Sequence, residues 1–196
     1  MDDSTLIEAL ARDVDGAFEA LVHGHQDRLY TIALRLLADP ADAEEVTQDA
    51  FARAHRALCA WDADRIRALA LRPWLAAIVV NAGRNRRRRP VDRRPAVSLG
   101  PLLASGFDPG DDRPTPETVA ERRVEAATWT RRLAGLPPGV RAVVILRHVD
   151  GLSYTEIATA LGRPEGTVKA QVHRGLRRLR AMIEDERAEE RREMTA

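Results

Sequence analysis

The chain has 196 residues, of which 44% are apolar, and a formal net charge of +1, a composition that favours folded domains over a disordered chain. It contains no apolar run near the roughly 20 residues that cross a bilayer, and its first ten residues are acidic where a secretory leader would be basic. We therefore expect a cytoplasmic protein with one domain or two small ones. Because Cys59 is the single cysteine, we expect no internal disulfide, no cysteine-based zinc site, and a role for Cys59 as a small buried apolar side chain.

The small net charge conceals a strong segregation along the chain. Residues 1–64 contain 5 basic and 14 acidic side chains, residues 65–94 contain 10 basic and 1 acidic, and residues 163–183 contain 6 basic and 1 acidic. Two separate basic segments predict two contacts with a polyanion, whereas the acidic first segment predicts a positively charged partner.

Apolar residues at helical spacing predict one short and one or two longer helices before residue 37, with no strand signal. His23 and His25 are two residues apart, so on a helix they point in different directions and are poor joint metal ligands. We expect neither a metal nor a cofactor.

Asp39 and Pro40 predict the start of a helix that runs to about Trp61, with Asp39 as its N-cap. The predicted inner face of this helix consists of small and apolar residues, namely Ala43, Val46, Ala50, Ala54 and Leu58. A second face carries Asp42, Glu45 and Asp49. This acidic stripe is either a solvated face or a docking surface for a basic helix, and composition does not choose between the two.

The segment Asp62 to Arg72 is predicted to join this helix to the next, which begins near Pro73 and places Leu75, Ile78 and Val79 in a core. That helix ends in the sequence NAGRNRRRR at residues 81–89. Four consecutive arginines can neutralise several phosphates at once and give salt-sensitive binding without sequence preference. The alternative is a run that merely keeps the surface soluble.

Residues 90–117 contain six prolines and predict a linker between domains. A helix is predicted from about Thr118 to Leu133, and a second from Val140 to Val149, closed by Gly151. The residues after 183 are nearly all charged and predict a fraying helical extension or disorder.

The stretch from Ser153 to Arg180 predicts a helix, a tight turn and a second helix. Ser153 and Glu156 have capping-box spacing, Gly162 ends the first helix, and Pro164 stands where the second begins. The second helix is apolar on one side, with the inward residues Val168, Val172, Leu176, Leu179 and Ile183. Its other side is basic, an arrangement typical of helix-turn-helix modules that enter the major groove.

Two segments resemble one family. LPPGVRAVVILRHVDGLSYTEIATALGRPEGTVKAQVHRGLRRLR, residues 136–180, is similar to the promoter-binding domain of bacterial RNA polymerase sigma factors of the extracytoplasmic-function group. LYTIALRLLADPADAEEVTQDAFARAHRAL, residues 29–58, followed by RPWLAAIVVNAGRNRRRR, residues 72–89, resembles the N-terminal domain of that group. The resemblance implies an all-α protein with domains at 1–89 and 118–183, a linker at 90–117 and a charged tail at 184–196.

The resemblance also implies partners and roles. The partners would be core RNA polymerase, promoter DNA and, as in many members, an anti-sigma factor. The polymerase-binding positions would be Asp42, Glu45, Gln48, Asp49 and Phe51. The positions that hold the separated strand of the −10 element would be Asn81, Arg84, Arg86, Arg87, Arg88 and Arg89. The positions that read the −35 element would be Thr167, Lys169, Ala170, Gln171, His173, Arg174, Arg177 and Arg178.

Within the last set, Ala170 and Gln171 replace the serine and arginine common in the family. Glutamine suits the N6 and N7 edge of adenine, so the −35 base preference is expected to differ. A stand-alone helix-turn-helix regulator is the alternative, although it leaves the acidic motif at residues 42–51 unexplained. A nuclease would need a metal–carboxylate or histidine constellation near the phosphate-binding cluster, which the sequence does not offer, so we do not expect an enzyme.

Overall fold

The computed structural model describes residues 2–88 and 116–194, and the chain divides into two compact units, residues 1–112 and 113–196. All regular structure in the described residues is α-helical, as the sequence predicts. None of the helices in these ranges combines the length and apolarity needed to span a bilayer. Except for its last two residues, the predicted linker lies outside the described residues, and the predicted domain limits stay a prediction.

The first unit is built from helices α1 (Asp3–Arg12), α2 (Val14–Leu37), α3 (Pro40–Cys59), α4 (Ala63–Arg67) and α5 (Leu71–Arg88). The first four begin at an aspartate whose carboxylate accepts a hydrogen bond from a backbone N–H three residues on. These caps are Asp2, Asp13, Asp39 and Asp62, with N···O distances of 2.8–3.0 Å. Each cap satisfies one of the N–H groups that a helix start leaves without an intrahelical partner, which explains why the helices begin at these points.

Helix α2 packs against both α3 and α5 to form the core of this unit. The predicted inner face of α3 is buried at every position, and its three alanines let the helices approach closely. On α5, Leu75 and Val79 are fully buried as predicted, whereas Ile78 is half-buried. The core therefore fixes which faces of α3 and α5 remain outside.

Helix α4 interrupts the segment that was predicted only to join α3 to α5. Its Ile66 is buried and the helix packs against α1, while the rings of Trp61 and Trp74, which flank α4 in sequence, lie 5.2 Å apart. The Arg65 guanidinium lies 4.2 Å from the centre of the Trp61 ring, within cation–π range. The burial of Ile66 against α1 and the contact of Arg65 with Trp61 thus stabilise a five-residue helix that would not persist alone.

The second unit consists of α6 (Pro116–Ala134), α7 (Pro138–His148), α8 (Tyr154–Leu161) and α9 (Glu165–Glu193). Buried Arg141 on α7 donates hydrogen bonds to the backbone carbonyls of Ala134 and Leu136, so carbonyl groups at and just after the end of α6 gain a partner. The charged tail continues α9 as a helix and is held by Arg132 of α6, whose guanidinium lies 2.6 Å from the Glu186 carboxylate. Of the two outcomes predicted for the tail, the helical extension is the one that forms.

Candidate nucleic-acid and protein interfaces

The turn between α8 and α9 has the predicted local structure. The Ser153 hydroxyl accepts from the Glu156 N–H at 3.2 Å, while the Ser153 N–H donates to the Glu156 carboxylate at 2.7 Å, which completes a capping box. Gly162 ends α8 in the left-handed region at φ 61°, where a side chain would be strained. Pro164 then precedes α9 with extended backbone. These local signals set the angle at which α9 leaves α8.

The inner face of α9 differs from the predicted one at two positions. Val168, Val172 and Leu179 are buried, but Leu176 is 36% exposed and Ile183 is half-buried, so the prediction for these two was wrong. Gly175 takes the inner position instead. A Cβ atom there would lie 2.5 Å from Val144 and 2.9 Å from Val140, which means that α7 and α9 touch through the space that glycine leaves.

The outer face of α9 presents the predicted −35 residues together. Seven of the eight are exposed and Gln171 is half-buried; the exposed ones are Thr167, Lys169, Ala170, His173, Arg174, Arg177 and Arg178. Within residues 124–194, no carboxylate lies within ion-pair distance of Arg177 or Arg178. This face is therefore a basic, solvent-accessible surface on a helix whose other side is buried.

Three of the side chains on this face already have partners within the chain, and one of them, Arg174, donates to the Ala170 carbonyl of its own helix at 3.3 Å. Arg163 donates to the amide oxygen of Gln171 at 2.9 Å, and Lys169 lies 2.6 Å from the Glu165 carboxylate. The hydrogen bond to Glu165 raises the pKa of Lys169, and the same bond lowers the pKa of Glu165. Glu165 also accepts from the Thr155 hydroxyl at 2.9 Å, so it links α8 to the start of α9. Base contacts by Gln171 or Lys169 would compete with these bonds.

Helix α5 separates the predicted −10 residues into two groups. Asn81, Arg84 and Arg87 are exposed on its surface. Arg86 instead turns to α3, where its guanidinium contacts Asp42 at 2.8 Å and Glu45 at 2.9 Å. The hydrogen bond with Asp42 is the main reason that the pKa of Arg86 is raised. Arg88 is the last residue of α5, with its side chain outside the described part, and Arg89 lies outside the described residues.

The acidic face of α3 is consequently paired with arginines rather than bare. Arg86 bridges Asp42 and Glu45, and one turn further along Arg53 contacts the Asp49 carboxylate at 2.8 Å. The hydrogen bond with Asp49 raises the pKa of Arg53. Between α3 and α5, a cavity of about 400 Å³ opens beside these groups and is lined in part by Glu45, Asp49 and Arg86.

The two remaining predicted polymerase-binding residues differ in accessibility. Gln48 is exposed on the same helix. Phe51 is only 8% exposed and points its ring at Phe18 of α2, with 6.5 Å between the ring centres. The structure thus places Phe51 in the core behind the acidic face, not on it.

One cluster was missed by the sequence analysis. Cys59 is exposed, which contradicts the predicted burial, and its sulfur lies 3.6 Å from His55 Nε2. His55 Nε2 is in turn 2.8 Å from a carboxylate oxygen of Asp15 on α2. The spacing of four residues between His55 and Cys59 on one helix was a signal that could have indicated this pair. His23 and His25 diverge as predicted, since His23 is exposed and His25 is buried.

Comparison with known families and structures agrees with this arrangement. Residues 127–179 match the family model described as Sigma-70, region 4, and residues 21–93 match the model described as Sigma-70 region 2. The chain is 32% identical over 176 residues to the RNA polymerase sigma-H factor of Pseudomonas aeruginosa, covering 88% of this chain and 89% of that protein. It is 34% identical over 166 residues to the extracytoplasmic-function RNA polymerase sigma factor SigE of Mycolicibacterium smegmatis, covering 84% of this chain but 60% of the length of that relative.

Among solved structures, the fold is similar to CnrH in its complex with the cytosolic domain of CnrY. The TM-score is 0.67 at 26% sequence identity, over 93% of this chain and 97% of CnrH. Both units thus have counterparts in one structure.

Proposed function

Because this chain belongs to the extracytoplasmic-function group of RNA polymerase sigma factors, proteins that direct the polymerase to specific promoters, we propose a separate role for each of its three charged surfaces. The acidic face of α3 binds core RNA polymerase, the arginine-rich end of α5 holds the separated strand of the −10 element, and the outer face of α9 reads the −35 element. The chain acts as a non-enzymatic subunit in the cytoplasm, where the chromosome is transcribed.

The observation that carries this proposal is the two-sided character of α9. Its buried side packs closely against α7 at Gly175, and its opposite side exposes Arg174, Arg177 and Arg178. A helix that packs on the core with one side and exposes a basic surface on the other has the shape and charge needed to enter a major groove. The preceding capped helix α8 completes the helix-turn-helix arrangement.

Sequence preference at the −35 element would come from the first two turns of α9. Gln171 can contact adenine N6 and N7 through its side-chain amide, provided that the amide oxygen leaves Arg163. The arginines further along the helix would contact phosphates of the DNA backbone and supply affinity more than sequence preference.

Single-strand capture at the −10 element would use the exposed groups of α5. Arg84 and Arg87 are free to approach phosphates, and the Asn81 amide can contact an unstacked base. Unpairing costs a few kcal/mol, which the captured strand has to offset through such contacts.

Docking on polymerase would use Asp42, Glu45 and Asp49, which lie along one side of α3 beside the cavity between α3 and α5. Each of these acids now contacts an arginine of its own unit, so a basic partner helix has to exchange those arginines for its own side chains. Such an exchange trades one ion pair for another, so it favours a partner with several positive charges in the same register.

A pull-down of the full chain with bacterial core RNA polymerase, followed by transcription from genomic fragments, tests the proposal. We expect stable association and new promoter-specific transcripts. Asp49→Arg should abolish association without changing the circular dichroism spectrum. Glu19→Arg is the matched control, because Glu19 is an exposed acid on α2 and its reversal should leave association intact.

Two results would contradict the proposal. DNA binding without any polymerase association would indicate a stand-alone helix-turn-helix regulator. Full association of Asp49→Arg would refute the acidic face of α3 as the docking surface, while leaving the role of α9 in place.

A further inference from the structure

Three side chains with different metal-binding chemistry converge at one end of the first unit. They are Asp15 in the first turn of α2 and His55 and Cys59 in the last turns of α3, and their ligand atoms all lie within 4.8 Å of one another. Two consecutive helices thus contribute a carboxylate, an imidazole and a thiol to the same small volume, although Asp15 and His55 are 40 residues apart in sequence. None of the three has a role in the surfaces proposed above.

Two of the three separations between these atoms are close to those that a bound ion would impose. Tetrahedral Zn²⁺, with bonds of about 2.3 Å to sulfur and 2.0 Å to nitrogen and oxygen, holds sulfur about 3.5 Å from nitrogen and nitrogen about 3.3 Å from oxygen. Here Cys59 Sγ is 3.6 Å from His55 Nε2, which in turn is 2.8 Å from Asp15 Oδ1. The exposed Cys59 sulfur also lies 3.8 Å from His55 Nδ1, so it has to rotate toward the direction in which Nε2 points. The carboxylate has to withdraw by about half an ångström. The Asp15 side chain is 82% exposed and can make that movement.

The surroundings hold the imidazole in place from the apolar side. The Phe18 ring meets the His55 ring edge to face, with 4.7 Å between the ring centres. Phe18 also packs on Phe51, so it is anchored in the core. A ligand whose ring orientation is fixed by packing loses little freedom on binding a metal.

We propose that Asp15, His55 and Cys59 bind a divalent transition-metal ion, with Zn²⁺ as the best match to a thiolate, imidazole and carboxylate set. Binding releases the thiol proton of Cys59 to solvent, and the Nε2 proton of neutral His55 moves through solvent to Nδ1 so that Nε2 can bind the ion. Two metal–ligand bonds thereby replace the hydrogen bond between His55 and Asp15. The fourth coordination position is open to water. The ion joins the start of α2 to the end of α3, the helix that carries the acidic face.

The test is a Co²⁺ titration of the tag-free, chelator-treated full chain with a non-thiol reductant present. We expect one Co²⁺ per chain, a thiolate-to-cobalt charge-transfer band, the d–d bands of a tetrahedral ion, and loss of all of them when Zn²⁺ is added. Zn²⁺ should also raise the temperature at which the first unit unfolds.

Variants separate this site from weak surface binding. Cys59→Ser should lose the charge-transfer band, and His55→Gln should weaken binding by at least ~10-fold. Both side chains are partly or fully exposed, so neither change opens a core cavity, and circular dichroism verifies the fold. His23→Gln is the matched control, since His23 is an exposed histidine on α2 and should bind Co²⁺ as the unmodified chain does.

Several results would overturn the proposal. The first is the absence of a charge-transfer band at stoichiometric Co²⁺, and the second is an affinity for Co²⁺ that is unchanged in Cys59→Ser. The third is an unchanged spectrum and affinity in His55→Gln, which would mean that Cys59 binds the ion without His55. The titration needs no polymerase, so its failure is distinguishable from failure of the proposed sigma function.

Discussion

Substituting Arg86 by alanine tests whether this side chain of the arginine-rich helix α5 stabilises the fold or binds DNA phosphates. In the structure, its guanidinium is 28% exposed and bridges Asp42 and Glu45 of α3. If those contacts persist, Arg86 adds stability to the first unit and little to phosphate binding. Arg84 and Arg87, which are exposed two residues before it and one after, should show the opposite pattern.

The magnitudes follow from these contacts. A partly exposed ion pair contributes roughly 0.2–1 kcal/mol, so the loss of two pairs in Arg86→Ala should reduce the free energy of unfolding by about 0.5–2 kcal/mol. Each phosphate contact to a single strand adds about 0.7 to the slope of log K against log salt concentration. Arg84→Ala should therefore lower that slope by about 0.7, whereas Arg86→Ala should leave it nearly unchanged.

Two assays read these quantities on the same proteins. Chemical denaturation of the full chain gives the change in unfolding free energy of the first unit. Fluorescence anisotropy with a labelled single-stranded oligonucleotide, repeated over a range of salt concentrations, gives the slope. The reasoning is refuted if Arg86→Ala reduces the slope as much as Arg84→Ala does while stability stays the same, because Arg86 would then face phosphates and not α3.

Two further changes test α9. In the same denaturation assay, Gly175→Ala should destabilise the second unit by about 1–3 kcal/mol, because the new Cβ would overlap Val144. Gly166→Ala is the control: its Cβ would meet no atom within 4 Å, so it should be neutral or stabilising by up to about 1 kcal/mol. Equal effects of the two alanines would contradict the close contact between α7 and α9. Gln171→Ala should relax the preference at one −35 base pair by about 1–3 kcal/mol. The preference is measured by selection from randomised promoters with reconstituted holoenzyme, and an unchanged base preference would show that Gln171 does not read a base.

The sequence by itself determined the elements whose signals lie within a few residues. The capping box at Ser153, the end of α8 at Gly162 and the Asp39–Pro40 helix start all depend on neighbours three or four positions away, so they could be predicted and are confirmed. The inner face of α3 was equally predictable, because helical periodicity alone selects it.

Only the tertiary structure decided which side chains meet across helices. The pairing of Arg86 with Asp42 and Glu45, the approach of Asp15 to His55, and the exposure of Cys59 join positions that are dozens of residues apart or depend on what covers a surface. Gly175 and Leu176 show the reason on the smallest scale. Adjacent positions on a helix differ by about 100° in direction, so only one of these two residues can face α7. The close approach of α7 leaves room for Gly175 but not for a side chain, so the glycine is buried and the more hydrophobic leucine is exposed.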